Sequence, residues 1–543
     1  MLRDSRFHLA LALLLYAAVA APVQVHCCDL LTSDGECYLR MAEWYARGDV
    51  RHALFGDWSP LGPWLTVPLV ALGMVPRYAF RVMIGLWGAL TVFGAWRLAG
   101  RIGVGKAWRA LAACCAALLA AEFSTDHRVD LLLTGLLLLY LDASLDRRVL
   151  TSRRWALGTG AIGGFAYLAK LYALPFFAVH FPAMLLAHAW GRRWEKGWLR
   201  DFACAFALGA LGCAVVAAPQ VALLTCKYGR LTFGTAAQGA IAFTGPGFQE
   251  ARVERLAGLK VPPPDAPNAW QDATREELVR VRQRFPSPLS SARAFWRQSR
   301  LALQTAAVIR GHLASLDEFR LGLIALVATC VVPLVVRGRR ERVATYLVLL
   351  YTIAVFCGGY AFVQATDKRL FWFPMFVSLV LVFHYLSLLA GLKRLRLVVA
   401  AAGAVAVISF AFHPVRFVAT LLGGPPPGRE HRVVAERLAA IGVRGVVCST
   451  NWWDGLHSAY YLGAKYAGKP ASREPAEIAQ EMQRAGSEVI LVWNDPMLGE
   501  RLARHPAFRP LGVVWAGPVF GLERYEALAF RLTAPRGQRR ESK

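Results

Sequence analysis

The sequence predicts a mainly α-helical fold, a polytopic transmembrane helical bundle followed by a small extracytoplasmic α/β domain. Of the 543 residues, 56% are hydrophobic and 18% are charged, a composition that excludes disordered and fibrous proteins. The apolar residues form long blocks. Between Leu9 and Phe412, about eleven of these blocks are long enough to cross a bilayer, which takes a helix of roughly 20 residues. The basic residues lie between the blocks in a regular order.

The predicted spans are, approximately, 8–25, 78–98, 107–123, 129–145, 155–171, 173–190, 202–226, 319–336, 343–362, 370–391 and 397–413. With the N-terminus inside, every second connection is basic, as the positive-inside rule requires. These connections contain Arg97 to Arg109, Arg147 to Arg154, Arg192 to Arg200, Arg337 to Arg342 and Lys393 to Arg396. Topology therefore accounts for the net charge of +26, and we expect membrane lipids around the chain and no nucleic acid partner.

The first span has two interpretations. Arg3 and Arg6, the apolar stretch and the run Ala18-Val19-Ala20-Ala21 also resemble a cleavable signal peptide. We favour an uncleaved first helix that anchors the following loop. Cleavage would leave the topology of the remaining spans unchanged.

The same alternation of basic and non-basic connections places three segments on the outer side of the membrane: 26–77, 227–318 and 414–543. In the first, the apolar part from Pro60 to Val75 is broken by proline and predicts helices in the membrane interface. The second has a proline-rich centre and a charged helical stretch near 272–284. We divide the chain into a transmembrane domain, 1–423, and a linker with an extracytoplasmic α/β domain, 424–543.

Within the C-terminal domain the pattern predicts helices at 431–441 and 475–484 and strands at 445–449 and 488–493. Trp452, Trp453 and Asp454 have two interpretations, as a sugar-stacking site or as ordinary packing. No internal repeat of the kind found in secondary transporters is evident.

Two carboxylates follow the first span, in Asp34-Gly35-Glu36-Cys37-Tyr38. A carboxylate partly shielded from water at the bilayer surface can have a raised pKa and act as a general base. The alternative is structural: Ser33 or Asp34 caps an interfacial helix that carries Glu36 in its first turn.

Asp126 and Asp130 precede the fourth span and would share one face if both were helical. Capping of that span is the alternative interpretation. Lys170 is a lone cation at the outer end of an apolar run, which predicts an ammonium held for a phosphate or, alternatively, a side chain that snorkels to the headgroups. Lys368 and Arg369 enter a later span from the same side, and a guanidinium suits bidentate phosphate contact or an interfacial anchor.

Together these residues put carboxylates and cations on one membrane face beside apolar surface. That combination fits a substrate with a lipid tail, a phosphate and a reactive group beyond the phosphate, as in a polyprenyl-phosphate-linked sugar. In that hypothesis a carboxylate deprotonates an acceptor hydroxyl, and cations stabilise the departing lipid phosphate.

The arrangement resembles the GT-C superfamily of integral-membrane glycosyltransferases, and within it bacterial relatives of protein O-mannosyltransferases and of the aminoarabinose transferase that modifies lipid A. The resemblance covers about residues 1–420. It is carried by Asp34 to Tyr38, Ala42, Gly48-Asp49, Trp58 to Trp64, the Asp before the fourth span, Gly164 to Lys170, and Arg369 with Pro374.

The resemblance implies an inverting transfer of a sugar from a polyprenyl-phosphate donor to a lipid, polysaccharide or protein at the outer face of the bacterial cytoplasmic membrane. It assigns Asp34 as the candidate base, and the division of the role between Asp34 and Glu36 stays open. It places Lys170 and Arg369 at positions that hold the lipid phosphate. We add Tyr38, Asp126, Asp130 and Lys368 as candidate substrate- and phosphate-binding residues.

This chain departs from the family at two places. Gly35 separates the two carboxylates, whereas relatives often carry adjacent Asp-Glu. Ser59-Pro60 stands where aminoarabinose transferases have a Lys before two prolines. Some members need a divalent cation, which Asp34, Glu36 and Asp126 could bind, although nothing in the sequence demands one. The main rival function is a lipid or solute transporter, and a second rival is an assembly protein with an outer binding domain.

Overall fold

The computed structural model describes residues 5–190, 195–236, 258–263, 267–268, 290–315, 340–363, 365, 367–391, 396–519 and 522–533. Contacts divide the chain into two compact units. We call the first the helical unit (Met1–Val25, Gly56–Gly245 and Arg275–Thr420). The second, which we call the α/β unit, comprises His26–Phe55, Pro246–Thr274 and Leu421–Lys543. The predicted division into 1–423 and 424–543 stays a prediction.

The helices in chain order are α1 (Ser5–His26), α2 (Ser33–Ala46), α3 (Val50–Ala53), α4 (Leu61–Ala71), α5 (Pro76–Arg101), α6 (Lys106–Phe123), α7 (Asp130–Ser144), α8 (Arg148–Thr151), α9 (Arg153–Ala169), α10 (Ala173–Trp190), α11 (Trp198–Tyr228), α12 (Ala292–Ser315), α13 (Arg340–Phe362), α14 (Trp372–Leu389), α15 (Arg396–Gly423), α16 (Arg429–Ala440), α17 (Trp452–Leu462), α18 (Pro475–Ala485) and α19 (Pro496–Arg504). The strands are β1 (Val446–Ser449), β2 (Lys465–Gly468), β3 (Ser487–Trp493), β4 (Phe508–Val519) and β5 (Leu522–Leu532).

Six helices of the described residues are long and apolar enough to cross a membrane: Arg6–His26, Pro76–Arg101, Ala173–Trp190, Trp198–Tyr228, Lys368–Leu389 and Arg396–Gly423. Every predicted span within the described residues coincides with a helix; the span 319–336 lies outside them. The prediction of a mainly α-helical, multi-pass membrane protein is confirmed. The apolar segment after Pro60 forms α4, whose 11 residues are too few to span a bilayer.

The predicted spans 107–123, 129–145 and 155–171 correspond to α6, α7 and α9, with 18, 15 and 17 residues. Lys106, Arg109 and Glu122 add charge to the two ends of α6. Almost all of α7 is buried, from Asp130 to Ser144. A short helix can occupy this position because almost all of its side chains pack against the rest of the protein.

Glycines bring α9 and α11 into close contact. A Cβ atom on Gly160 would lie 1.9 Å from the backbone oxygen of Gly209, and one on Gly164 would lie 2.8 Å from that of Cys213. Small residues spaced four apart allow membrane helices to approach at the backbone. This packing fixes the axis of α9 and therefore the position of the chain that leaves its C-terminal end.

A buried hydrogen-bonded chain connects three further helices. Nδ1 of His180 on α10 is 3.0 Å from the Tyr140 hydroxyl on α7, and its Nε2 is 2.8 Å from the Thr352 hydroxyl on α13. Both imidazole nitrogens are thereby paired in an apolar interior, where an unpaired polar group is costly. The chain fixes the register of α13 against α7 and α10.

The α/β unit contains a five-stranded sheet in the order β2-β1-β3-β5-β4. β1 is parallel to β2 and β3, whereas β5 is antiparallel to both β3 and β4. Alternate residues fill two cores: Val447 and Leu491 lie in one, and Cys448, Ile490 and Phe530 in the other. Burial on both faces explains the continuous apolar sequence of β3.

The predicted helices and strands of this domain correspond to α16, α18, β1 and β3. The unit also includes the start of the first predicted outer loop. The Asp29 carbonyl accepts a hydrogen bond from the Tyr461 hydroxyl at 2.8 Å, and its carboxylate lies 2.9 Å from Nε of Arg432. Gly428 approaches the same backbone so closely that a Cβ would lie 2.1 Å from the Asp29 oxygen.

Candidate functional site

Asp130, the first residue of α7, lies between two cations from distant segments. Its Oδ1 forms an ion pair with Nζ of Lys170, and its Oδ2 is 3.8 Å from Nη1 of Arg369. The Asp130 side chain is 4% exposed, whereas those of Lys170 and Arg369 are 22% and 17% exposed. One buried carboxylate thus holds two partly accessible cations.

Lys170 is held by the residues on either side of it. It follows α9 with extended backbone angles, and its N–H donates to the Ala166 carbonyl at 2.9 Å. Two residues later, the Tyr172 hydroxyl donates to the Phe356 carbonyl at 2.5 Å. The Tyr172 ring stacks on Tyr360 with 3.7 Å between ring centroids. The turn that carries Lys170 is therefore clamped against α13.

Arg369 lies in a 3₁₀ turn, Lys368–Phe371, which Asp367 caps by accepting the Arg369 N–H at 3.2 Å. The Asp367 carboxylate is also 3.0 Å from Nε of Arg369. Trp372, the next residue after this turn, stacks on Phe123 at 4.4 Å with nearly parallel rings. Lys368 in the same turn is exposed.

Helix α7 begins at Asp130, so Asp126 lies in the turn before the helix. The two carboxylates therefore do not share a helix face, and the expectation based on their spacing is corrected. Val129 occupies the N-cap position without a side-chain cap, so neither Thr125 nor Asp126 is the N-cap. Asp126 instead lies 2.8 Å from Nη1 of Arg128.

Arg81, which was not among the predicted site residues, is buried in α5. Its Nη1 donates to the carbonyls of Ser124 and Thr125, at 3.2 and 3.1 Å. It thereby supports the turn that leads to Asp130. The signal that identified Lys170, a lone cation inside an apolar run, was also present here. Glu122 was missed as well; it pairs with His413 at 3.2 Å.

The first-loop carboxylates belong to the α/β unit, on α2. Thr32 is the N-cap and accepts the Gly35 N–H at 3.0 Å. Asp34 and Glu36 both lie in the first turn of the helix. The structural alternative was correct that a capped helix begins here, but it placed the cap one or two residues too late. Asp34 is half-buried, and Tyr38 is buried.

Glu36 is 2% exposed and lies 3.3 Å from Nε of Arg40. Burial raises the pKa of Glu36 to about 7, and the adjacent Arg40 opposes that rise. A carboxylate with a pKa near the working pH suits a general base. The raised pKa favours Glu36 as the general base, whereas the sequence resemblance favours Asp34. Both residues of α2 are therefore candidates for the base.

In the part of the chain that the structure describes, no three His, Cys, Asp or Glu side chains are grouped as a metal site. The divalent cation that some GT-C enzymes use therefore receives no ligand set from these residues.

Asp454 in the C-terminal domain is held by protein groups on both sides. His431 Nε2 lies 2.9 Å from one carboxylate oxygen, and the Tyr525 hydroxyl donates to the other at 2.6 Å. Trp452 packs against one of the two cores, and Trp453 is 46% exposed. Trp452 therefore has a packing role, and the sugar-stacking interpretation of Trp453 and Asp454 stays a prediction.

The structure brings Asp130, Lys170 and Arg369 into one cluster. It places Asp34, Glu36 and Tyr38 together on α2, in the other compact unit. The expectation that the carboxylates of α2 and the cations Lys170 and Arg369 lie on one membrane face stays a prediction.

No protein-family model matches the chain, and no curated protein matches it. Solved structures that resemble it include two of ArnT from Cupriavidus metallidurans, one in the apo state and one bound to undecaprenyl phosphate. The apo structure is 17% identical, covering 95% of this chain and 97% of that chain, with a TM-score of 0.46. The bound structure is 17% identical, covering 96% of this chain and 97% of that chain, with a TM-score of 0.46. At this level of similarity, the binding of undecaprenyl phosphate is a finding about ArnT and is not carried over to this chain.

Proposed function

We propose that this chain is a GT-C-type membrane glycosyltransferase that moves a sugar from a polyprenyl-phosphate donor to a lipid, glycan or protein acceptor. The reaction would take place at the outer face of the bacterial cytoplasmic membrane, with the C-terminal domain also outside. The observation that carries the proposal is the joint pairing of Lys170 and Arg369 with buried Asp130. The first-loop, Gly164 to Lys170 and Arg369 motifs support the same family.

The cation cluster suits a lipid phosphate. In a sugar phosphodiester the phosphate carries one negative charge, and it gains a second as the sugar departs. Cations already fixed in place stabilise that developing charge without reorganising. Asp130 keeps Lys170 and Arg369 close together before the donor arrives and offsets their mutual repulsion. The partly accessible ammonium of Lys170 and guanidinium of Arg369 supply the positive charge that binds the phosphate.

The proposed step combines one proton transfer with one displacement at the anomeric carbon. The acceptor hydroxyl gives its proton to a carboxylate of α2, Asp34 or Glu36, and its oxygen attacks the anomeric carbon. The bond between that carbon and the phosphate oxygen breaks, and the electron pair leaves with the lipid phosphate. Attack opposite the leaving group inverts the anomeric configuration. No general acid is required, because the phosphate leaves as a cation-paired anion.

A transfer assay tests this proposal. Membranes containing the wild-type chain are incubated with polyprenyl phosphates that carry a radiolabelled hexose or pentose, and label is followed into the acceptor fraction. We expect label to leave the lipid and free polyprenyl phosphate to accumulate. Asp34→Asn or Glu36→Gln should express normally and lose transfer, whereas Glu436→Gln, an exposed carboxylate of the same unit, should retain it.

Two outcomes would contradict the proposal. If Asp34→Asn and Glu36→Gln both transfer label like the wild type, α2 holds no catalytic base. If label crosses the membrane while still attached to the lipid, the chain is a transporter rather than a transferase.

A further inference from the structure

Helix α17 of the C-terminal domain makes polar contacts with the helix that carries the first-loop carboxylates. The Tyr460 hydroxyl donates to Oε1 of Glu43 at 3.0 Å. The guanidinium of Arg40 lies 4.9 Å from the centroid of the Tyr460 ring. Arg40 in turn places Nε 3.3 Å from Oε1 of Glu36. A continuous chain of contacts therefore leads from α17 to Glu36.

The sequence of α2 gives Arg40 two possible partners. Glu36 precedes it by four residues and Glu43 follows it by three, so both carboxylates share its helix face. Tyr460 affects both alternatives, since its hydroxyl binds Glu43 and its ring covers the Arg40 guanidinium. The ion pair that forms is the one with Glu36.

We infer that Tyr460 is a positioning residue for the proposed reaction: it occupies Glu43 and directs Arg40 to Glu36. The C-terminal domain then has a role in catalysis, because it sets the orientation and ionisation of a first-loop carboxylate. This inference rests on the proposed function only in treating Glu36 as part of the active site.

The groups that face Glu36 come from three elements. Arg40 and Glu43 lie on α2 itself. Tyr460 on α17 and Tyr466 on β2 also interact electrostatically with Glu36. Both tyrosines are buried and their pKa values lie well above the usual value, so they are neutral at physiological pH. Arg40 is thus the cation that favours the charged form of Glu36, and Glu43 is the anion that opposes it.

Removing the Tyr460 hydroxyl should release Glu43 to compete for Arg40. The Tyr460→Phe substitution keeps the ring over the guanidinium and tests this step alone. With Arg40 partly withdrawn, the pKa of Glu36 should rise. The acidic limb of the pH profile of kcat/KM should move to higher pH by roughly half a unit or more. Adding Glu43→Gln removes the competitor and should return the limb towards its wild-type position.

Tyr461→Phe is the matched control. Tyr461 is the next residue on α17, and its hydroxyl also bonds to the first-loop segment, at the Asp29 carbonyl. This variant should lose comparable stability without moving the limb. If Tyr460 had only a structural role, Tyr460→Phe and Tyr461→Phe would have the same effect on the acidic limb. Adding Glu43→Gln would then not return the limb towards its wild-type position.

A second readout does not depend on activity. In protein labelled with ¹³C-glutamate, the infrared carboxyl band that disappears in Glu36→Gln reports the titration of Glu36. Its midpoint should rise in Tyr460→Phe, stay at the wild-type value in Tyr461→Phe, and fall back when Glu43→Gln is added to Tyr460→Phe. An unchanged midpoint in Tyr460→Phe would overturn the inference, whatever the transfer assay gives. A wild-type protein without transfer activity would overturn the proposed function instead.

Discussion

Lys170 pairs with Asp130 across 40 residues of sequence, and each residue lies at the end of a helix in the helical unit. Asp130 begins α7, and Lys170 follows the last residue of α9. Arg369 approaches the same carboxylate from a third segment. A lone lysine at the edge of an apolar run is costly unless it has a partner, and here the partner also gathers a second cation.

The Asp130–Lys170 pair should show strong coupling between its members. Asp130→Asn leaves two cations without their buried counter-charge and should lower the free energy of unfolding by about 3 kcal/mol. Adding Lys170→Met removes one uncompensated charge, so the double variant should be more stable than the single one. Neither variant should transfer sugar. The measurements are thermal midpoints in detergent and the radiolabel assay. A double variant that is no more stable than Asp130→Asn would show that the pair is not coupled.

Glu36 should make stability depend on pH. Its pKa in the folded chain is raised by burial to about 7, whereas in the unfolded chain it lies near 4.3. Between these values the folded state binds the proton more tightly. Stability from this group is therefore greatest below about pH 4 and falls as pH rises towards 7, by on the order of 3 kcal/mol in total.

The measurement for Glu36 is the thermal midpoint from pH 4.5 to 7.5. Glu36→Gln cannot ionise, so its midpoint should fall less over this range than that of the wild type. Parallel curves for the two proteins would show that Glu36 does not titrate with a raised pKa.

The contact between α9 and α11 should tolerate no added methyl group at its centre. Gly160→Ala would place Cβ 1.9 Å from the Gly209 oxygen, and overpacking of this kind typically costs about 1–3 kcal/mol. Because α9 carries Lys170 at its end, transfer should fall along with the thermal midpoint. Gly158→Ala on the same helix meets no atom within 4 Å and should be neutral or slightly stabilising. Equal effects of the two substitutions would contradict the assigned packing.

Much of the helical unit could be predicted from sequence, since long apolar runs specify membrane helices and basic connections between the runs predict the orientation of each helix. Charged residues at the outer edges of apolar runs also led to Asp130, Lys170 and Arg369 one by one. This pattern could not show that all three meet, because spacing within one run says nothing about which helix ends adjoin. Their meeting depends on contacts such as Gly160 with Gly209 and Trp372 on Phe123.

The sequence was less informative about the α/β unit. The apolar run of β3 was found, whereas α17, β2 and the long β4–β5 hairpin were not. In α17, Trp452 and Trp453 suggested either packing or a ligand, so they did not specify a helix. The association of Asp29 and Arg40 with α17 was not predictable either, since the segments are about 400 residues apart and no local pattern encodes the contact.

Equilibrium binding of radiolabelled undecaprenyl phosphate to the purified chain in nanodiscs tests the central claim most directly. Lys170→Gln removes one of the two cations proposed to bind the phosphate and should weaken binding by about 10- to 100-fold, as expected for loss of a hydrogen bond to a charged group. Arg153→Gln removes an exposed cation from the opposite end of the same helix and should leave binding unchanged. Equal affinity of the wild type and Lys170→Gln would contradict the account.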